Sequence, residues 1–388
     1  MMIRYTFAFL CLLTLSMLCN AQRFTMNKGG IATKNYLEKI PYEYINGRIF
    51  VTVEINGKPR RFFLDTGAPT QISPELFSEL KLSIIKNLDI GDISGKSDSV
   101  KVTTLPEIKL QGLSFTGVPA LIFSGDIYQC WHIDGVIGAN VLSKSIVHID
   151  PDEHTITITD DIKKIPVNKK MLATMLTDEA QGSPFIVVWI TPKKTQLVGF
   201  DTGDPDFFIA TNDFIEKFKK NNAFTKISSG YGMHTRGLFG VPKPDSVYRL
   251  KLPSIELAGH TFTNVITETN EKQATSMGTK ILDYGTVTLD YIHHIFYYEA
   301  KTDTTNMAEK KWPIAPMPVG NKLLAGAVWK EMETQVKWDD QVIAINDKPY
   351  ETVDFCEWLN RVPTKIETVT LTIKDANGNV RKVTMVKQ

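Results

Sequence analysis

Two stretches of the chain decide the fold: FFLDTGAP at residues 62–69 and VGFDTGDP at residues 198–205. Each is a hydrophobic run that ends in Asp-Thr-Gly, followed by one variable residue and Pro. A run of this kind is typical of a buried β-strand, and Gly permits a tight turn directly after it. The two stretches therefore predict two equivalent strand-and-turn units, one in each half of the chain.

Two further pairs of segments follow these stretches in the same order. The first pair shares L-P-x-I-x-L-x-G-x-x-F-T-x-V, and the second shares G-x-x-(V/I)-L and, four residues later, V-x-(I/L)-D. The pairs are residues 105–118 with 252–265, and residues 138–150 with 278–290. Self-similarity in a kept order indicates an internal repeat. We interpret the chain as a tandem duplication, with a first lobe at residues 22–165 and a second at 166–301.

Most segments within each copy have the pattern of β-strands. The runs IFVTVEI and FIVVWI are rich in β-branched and aromatic residues, and Asn56-Gly57 is a strong hairpin signal. Short helices are expected after each Asp-Thr-Gly, one opened by Ser73-Pro74 and one by Thr211. The sequence thus predicts a mainly β, two-lobed protein.

Two similar lobes in one chain tend to pack about a pseudo-twofold axis, which would place Asp65 opposite Asp201. Carboxylates held a few ångström apart share one proton, so one can activate a water while the other supports a developing oxyanion. Neighbouring residues are expected to support the two catalytic loops through hydrogen bonds and close backbone approach. These candidate support residues are Thr66, Gly67, Ala68, Thr202, Gly203 and Asp204.

The repeated hydrophobic-hydrophobic-Asp-Thr-Gly pattern resembles the signature of pepsin-like and retropepsin-like aspartic peptidases. A second family signature, two hydrophobic residues and a Gly in a strand that crosses behind each catalytic loop, resembles residues 136–138 and, less closely, 276–278. The resemblance implies a bilobal double β-barrel with Asp65 and Asp201 as catalytic residues and Gly138 and Gly278 on the crossing strands. It also implies peptide-bond hydrolysis without a metal or cofactor, in a cleft under a hairpin flap.

Two departures from the family pattern bear on activity. Asp204 stands where the family usually has Ser, Thr or Ala, and an extra carboxylate would raise the pKa values of its neighbours or mark a site no longer tuned for catalysis. The flap candidate at residues 90–100, in which Gly95 is a candidate substrate-cleft residue, has no aromatic residue. Tyr231 and His234 in the second lobe are either cleft residues in its place or ordinary loop residues.

A polar segment at residues 302–313 predicts a linker, and residues 314–388 predict a separate small α+β domain. The stretch WDDQVIAINDKPYETVDFCEWL resembles the PDZ family, and the positions that match are Asp340, Val342, Ile345 and Asn346. That resemblance implies capture of a C-terminal or internal peptide by strand addition. The alternative is a small β-rich packing domain.

The N-terminal residues have one cation and a short apolar run, which predicts a signal peptide at residues 1–21 with cleavage before Gln22. We therefore expect a periplasmic or secreted protein of bacterial type, with no membrane span in the mature chain. The formal charge is +1, from 44 basic and 43 acidic residues, which gives no nucleic-acid surface. Cys130 and Cys356 are far apart in the chain, so no disulfide is expected. No metal site is expected either.

Two functions remain open from the sequence. The first is an exported aspartic endopeptidase, with the C-terminal domain serving substrate docking or regulation. The second is a catalytically inactive peptide-binding protein on a protease scaffold. The geometry of Asp65, Asp201 and Asp204 discriminates between them, because a working dyad needs facing carboxyl groups and free space for a water.

Overall fold

The computed structural model describes residues 24–92, 94–270, 274–361 and 365–388, so the predicted signal peptide lies outside the described residues. The predicted fold class is confirmed: the protein is mainly β, with two lobes built from the two repeats. No helix among the described residues is long and apolar enough to cross a membrane.

Among its described residues, the first lobe contains eleven strands and three short helices. Its strands are β1 (Gly30–Ile31), β2 (Leu37–Ile45), β3 (Arg48–Ile55), β4 (Lys58–Asp65), β5 (Gln71–Ile72), β6 (Lys86–Gly91), β7 (Ser97–Leu110), β8 (Leu113–Ile122), β9 (Gly135–Gly138), β10 (Ile146–Asp150) and β11 (Thr155–Thr159). Its helices are α1 (Pro74–Glu79), α2 (Asp126–Trp131) and α3 (Ala139–Leu142), and a 3-10 turn follows at Ile162–Lys164.

The described part of the second lobe has a similar series of strands and one α-helix. Its strands are β12 (Leu172–Thr177), β13 (Pro184–Thr191), β14 (Lys194–Phe200), β15 (Ala210–Thr211), β16 (Thr225–Gly232), β17 (Asp245–Leu257), β18 (His260–Asn270), β19 (Ser276–Met277), β20 (Gly285–Asp290), β21 (Ile295–Ala300) and β22 (Thr304–Asn306). The helix is α4 (Asn212–Phe218), and a 3-10 turn lies at Thr279–Asp283.

Local sequence signals explain several of these boundaries. Asn56 and Gly57 have φ of 52° and 71°, as a two-residue hairpin turn between β3 and β4 requires. Ser73 caps α1 by accepting the N–H of Leu76, and Thr211 caps α4 in the same way. The two predicted helix starts are therefore confirmed.

The two lobes join through one shared sheet, in the order β2, β11, β10, β20, β21, β12. At its centre β10 and β20 are antiparallel, and His148 pairs with Thr288 at a hydrogen-bond distance of 2.7 Å. These two residues occupy equivalent positions in the two repeats. The pseudo-twofold axis therefore passes between them, as expected for a duplicated chain.

Each lobe also projects a long hairpin. The first is formed by β6 and β7, and the second by β16 and β17, whose connecting loop covers residues 233–244. The tips meet, because Asp92 Oδ2 accepts the backbone N–H of Phe239 at 2.7 Å. We call the space between these hairpins and the two Asp-Thr-Gly loops the candidate cleft.

The C-terminal domain has its own hydrophobic core and a small α+β architecture. Its elements are β23 (Ile314–Val319), β24 (Lys322–Trp329), β25 (Gln341–Ile345), β26 (Lys348–Pro349), β27 (Thr368–Lys374), β28 (Val380–Val386) and α5 (Phe355–Asn360). It is not isolated: β24 pairs with β16 of the second lobe, from Gly230 opposite Trp329 to Gly232 opposite Ala327.

The expectation of no disulfide is wrong. Cys130 of α2 and Cys356 of α5 are bonded, with a Cα–Cα distance of 4.7 Å despite a sequence separation of 226 residues. Sequence distance misled the prediction because packing of α5 against α2 brings the two residues together. The C-terminal domain is thus joined covalently to the first lobe and by strand pairing to the second.

The segment predicted as a linker is held along the second lobe for part of its length. Its strand β22 pairs in parallel with β18, and Met307 is 6% exposed and belongs to the core shared by the lobes. Lys311 exchanges two backbone hydrogen bonds with Gln388. The segment is polar because one of its sides is exposed to solvent, and it is not a free linker.

Candidate active site

The two Asp-Thr-Gly loops begin where β4 and β14 end, at the junction of the lobes. β4 pairs in parallel with β9, which places Asp65 opposite Gly138, and β14 pairs with β19 just before Gly278. A Cβ on Gly138 would lie 2.2 Å from Thr70 N, and one on Gly278 would lie 2.2 Å from Asp204 O. These positions need Gly because each crossing strand passes directly against an Asp-Thr-Gly loop.

Thr66 and Thr202 lock the two loops together with four hydrogen bonds. Thr66 Oγ1 donates to Phe200 O at 2.7 Å and accepts the N–H of Thr202 at 3.0 Å. Thr202 Oγ1 donates to Leu64 O and accepts the N–H of Thr66, both at 3.0 Å. Both threonines are 0% exposed, so these bonds have no competition from water and fix the position of each loop relative to the other.

This locked arrangement brings the carboxyl groups of Asp65 and Asp201 together. Each accepts the N–H of the Gly two residues later, Gly67 at 2.9 Å and Gly203 at 2.8 Å. A Cβ on Gly67 would lie 2.6 Å from Asp201 Cγ, and one on Gly203 would lie 2.7 Å from Asp65 Cγ. Each Gly therefore leaves the room that the carboxyl group of the opposite lobe occupies.

Burial and mutual repulsion govern the charge of this pair. Burial, followed by the charge of Asp201, raises the pKa of Asp65 well above its ordinary value. Burial also raises the pKa of Asp201, but hydrogen bonds from Gly203, Asp65, Gly67 and Asp204 act in the opposite direction. Asp201 receives more hydrogen bonds, so it holds the negative charge more easily than Asp65, and mutual repulsion opposes ionisation of both groups together.

Ala68 and Asp204 occupy equivalent positions in the loops, and Asp204 does not point its oxygens at the dyad. Its Oδ1 accepts the N–H of Asp206 at 2.9 Å, and its Oδ2 accepts from Ser276 Oγ at 3.3 Å. It is 8% exposed, and burial, then the charges of Asp206 and Asp201, raises its pKa well above the ordinary value. The raised pKa favours the protonated, uncharged form of Asp204, which opposes a second negative charge beside Asp201.

The structure places the three predicted cleft residues in different surroundings. Gly95 lies in the turn of the first hairpin with φ of 67° and donates its N–H to Asp92 O at 2.9 Å. Tyr231 instead packs edge-on against Trp338, with ring centres 5.9 Å apart. His234 Nε2 lies 3.1 Å from Thr269 O, and its ring contacts Trp329. The Tyr231 ring thus contacts the C-terminal domain, and the His234 ring contacts both that domain and β18.

Two residues near the dyad were not found from the sequence. Tyr128 of α2 is 5% exposed, and its hydroxyl donates to Gln71 Oε1 at 3.2 Å. Burial, then the charge of Asp65, raises the pKa of Tyr128. The Gln181 side chain donates to Gly67 O at 2.9 Å. Neither residue lies in a shared segment of the repeats, so the internal comparison gave no signal for them.

Comparison with known proteins gives a partial match. No curated protein matches the chain. Among solved structures, the chain is similar to an aspartic proteinase from Irpex lacteus (11% identity, 71% of this chain and 100% of that chain, TM-score 0.44). It is also similar to basic 7S globulin from soybean (10% identity, 69% and 96%, TM-score 0.40) and a retropepsin-like aspartic protease from Rickettsia conorii (16% identity, 32% and 94%, TM-score 0.25). A family model described as "Aspartyl protease" matches residues 51–141, the part of the first lobe that carries the first Asp-Thr-Gly loop.

Proposed function

We propose that the protein is an exported aspartic endopeptidase that hydrolyses peptide bonds with a water activated by Asp65 and Asp201. The observation that carries the proposal is the facing pair of carboxyl groups, held by reciprocal threonine hydrogen bonds across the lobe junction. Such a pair holds one proton and one negative charge in the same small site. General acid and general base are then both present without any other group.

The reaction follows from that charge arrangement. The ionised carboxylate removes a proton from a water, whose oxygen attacks the peptide carbonyl carbon, while the protonated carboxyl group donates its proton to the carbonyl oxygen. The tetrahedral intermediate then collapses: the carboxyl group that holds the water's proton gives it to the leaving nitrogen, and the C–N bond breaks. A hydroxyl group of the intermediate returns its proton to the other carboxylate, so the pair again holds one proton. Fixed loops lower the barrier because the carboxyl groups need little reorganisation as charge develops.

We further propose that the C-terminal domain regulates the second hairpin. Its strand β24 pairs with β16, and Trp338 and Trp329 contact Tyr231 and His234. This pairing takes up the part of β24 from Ala327 to Trp329, so an incoming peptide would have to displace Gly230–Gly232 of the chain itself. Positioning of the hairpin is thus better supported than peptide docking at that edge.

Export is supported by the disulfide between Cys130 and Cys356, because such bonds persist mainly in oxidising compartments. The disulfide and the predicted signal peptide are two independent reasons to propose export. The periplasm or the extracellular space is the compartment that fits both.

The rival function, a peptide-binding protein without activity, draws its support from the unusual Asp204. A carboxylate that filled the water site or ionised beside Asp201 would favour it. Both oxygens of Asp204 instead have partners outside the dyad, Asp206 N and Ser276 Oγ. The geometry therefore favours the endopeptidase.

The experiment is cleavage of a diverse peptide pool by the form starting at Gln22, across pH. Asp65→Asn and Asp201→Asn should each abolish cleavage, and the exposed Asp213→Asn on α4 serves as the matched control that should retain it. A bell-shaped rate profile is expected from a dyad that needs one proton. Cleavage that persists in Asp65→Asn, or none by the wild type at any pH, would reject the proposal.

A further inference from the structure

The N-terminal residues 24–27 lie between the two lobes, beside the catalytic loops. The backbone N–H of Met26 donates to Ala180 O at 2.7 Å, and Thr25 Oγ1 donates to Glu179 O at 2.6 Å. On the other side the Met26 carbonyl accepts from Asn140 Nδ2 of the first lobe at 3.1 Å. The segment therefore bridges the lobes: the backbone N–H of Met26 bonds to the second lobe and its carbonyl oxygen to the first, as the backbone of a bound extended peptide would.

Residues that contact this segment also form hydrogen bonds with the first Asp-Thr-Gly loop. Asn140 Oδ1 accepts the N–H of Thr70, at the end of the first loop, at 2.8 Å. Gln181, next to Ala180, donates to Gly67 O at 2.9 Å. Met26 is thus linked to the first catalytic loop by two routes, one through Asn140 and one through the neighbouring residues Ala180 and Gln181.

Apolar contacts hold the same segment against the first hairpin. Met26 is 5% exposed and packs with Val100 and Val102 of β7 and Leu121 of β8. Phe24 lies against this cluster, and so does Phe239, which comes from the tip of the second hairpin. The N-terminal segment and both hairpins therefore converge on one apolar cluster beside the dyad.

We propose that residues 24–27 close one end of the candidate cleft and limit how many substrate residues can extend past the scissile bond on that side. The inference rests on the proposed endopeptidase function and deepens it. The carbonyl oxygens of Glu179 and Ala180, which an incoming peptide could use, already accept from Thr25 and Met26. The preferred scissile bonds are then internal bonds that lie a few residues from one end of a peptide or protein chain.

The test compares the form starting at Gln22 with a form starting at Lys28 on peptides of one scissile sequence. The peptides are lengthened one residue at a time, first on one side and then on the other. With the longer form, kcat/KM should fall by roughly tenfold or more once peptides exceed a fixed length on one side only, because a long peptide must displace the buried Met26. The form starting at Lys28 should lose this drop, measured as the ratio of long to short peptides.

A substitution guards against misfolding of the shortened form. Met26→Gly should weaken the length limit and Met26→Leu should keep it, because only Leu still fills the cluster. Identical length profiles in all forms, with cleavage that depends on Asp65, would overturn the inference but leave the proposed function standing. Absence of Asp65-dependent cleavage even of the shortest peptides would overturn both.

Discussion

Replacing Thr66 by Val should destabilise the protein far more than a surface substitution. The change removes the hydroxyl that donates to Phe200 O at 2.7 Å and accepts the N–H of Thr202 at 3.0 Å. Both backbone groups lose their partner in a fully buried place, at a cost of about 1–3 kcal/mol each. The expected loss is therefore roughly 2–6 kcal/mol, a large part of the usual 5–15 kcal/mol of a folded domain.

Thr66→Ser is the matched control because it keeps the hydroxyl and removes only a methyl group, at about 1 kcal/mol. Both variants are made in an Asp65→Asn background to prevent self-digestion, and free energies of unfolding come from urea curves followed by tryptophan fluorescence. The mirror pair Thr202→Val and Thr202→Ser should show the same contrast. A valine variant no less stable than its serine partner would refute the reasoning about these four bonds.

Three further results are expected. Asp65→Asn should be more stable than the wild type at neutral pH and lose that advantage in acid. The reason is that the raised pKa of Asp65 costs the wild type about 1.4 kcal/mol for every pH unit between the ordinary pKa, about 4, and the raised one. Thermal unfolding from about pH 3 to 8 checks it, and an equal difference at every pH contradicts it. Cys356→Ser removes the disulfide, which closes a loop of 226 residues, and should lower the free energy of unfolding by up to roughly 5 kcal/mol. Urea unfolding under oxidising conditions checks this, and an unchanged midpoint would count against it. Gly232→Ala, whose Cβ would lie 2.0 Å from Gly326 O, should speed amide exchange in β16 and β24, whereas Gly91→Ala, with 3.8 Å to its nearest atom, should not.

Most of the fold and the centre of the site could be predicted from the repeated sequence. Asn56-Gly57, the cap at Ser73 and the cap at Thr211 are local signals, and each formed the predicted element because its own backbone requirement is short-range. The opposition of Asp65 and Asp201 followed from symmetry, which needs no knowledge of the intervening contacts.

Contacts between residues far apart in the chain could not be predicted from the sequence in this way. Cys130 and Cys356 carry no local pattern that names a partner, and their bond depends on how α5 packs against α2. Tyr231 and His234 were predicted as cleft or loop residues, but their rings contact Trp338 and Trp329, about a hundred residues later in the chain. Contacts of this kind arise from domain docking, for which neither periodicity nor propensity gives a signal.

The bond between Cys130 and Cys356 also determines what happens when the chain is cut. A single backbone break at any position between these residues, including the polar stretch at residues 302–313, leaves both fragments covalently joined. Strand pairing between β16 and β24 keeps the severed part in register. A nicked molecule would therefore migrate as one species on a gel until a reductant is added. In a compartment shared with other proteases, such a molecule could be damaged in its loops and still keep all its parts assembled.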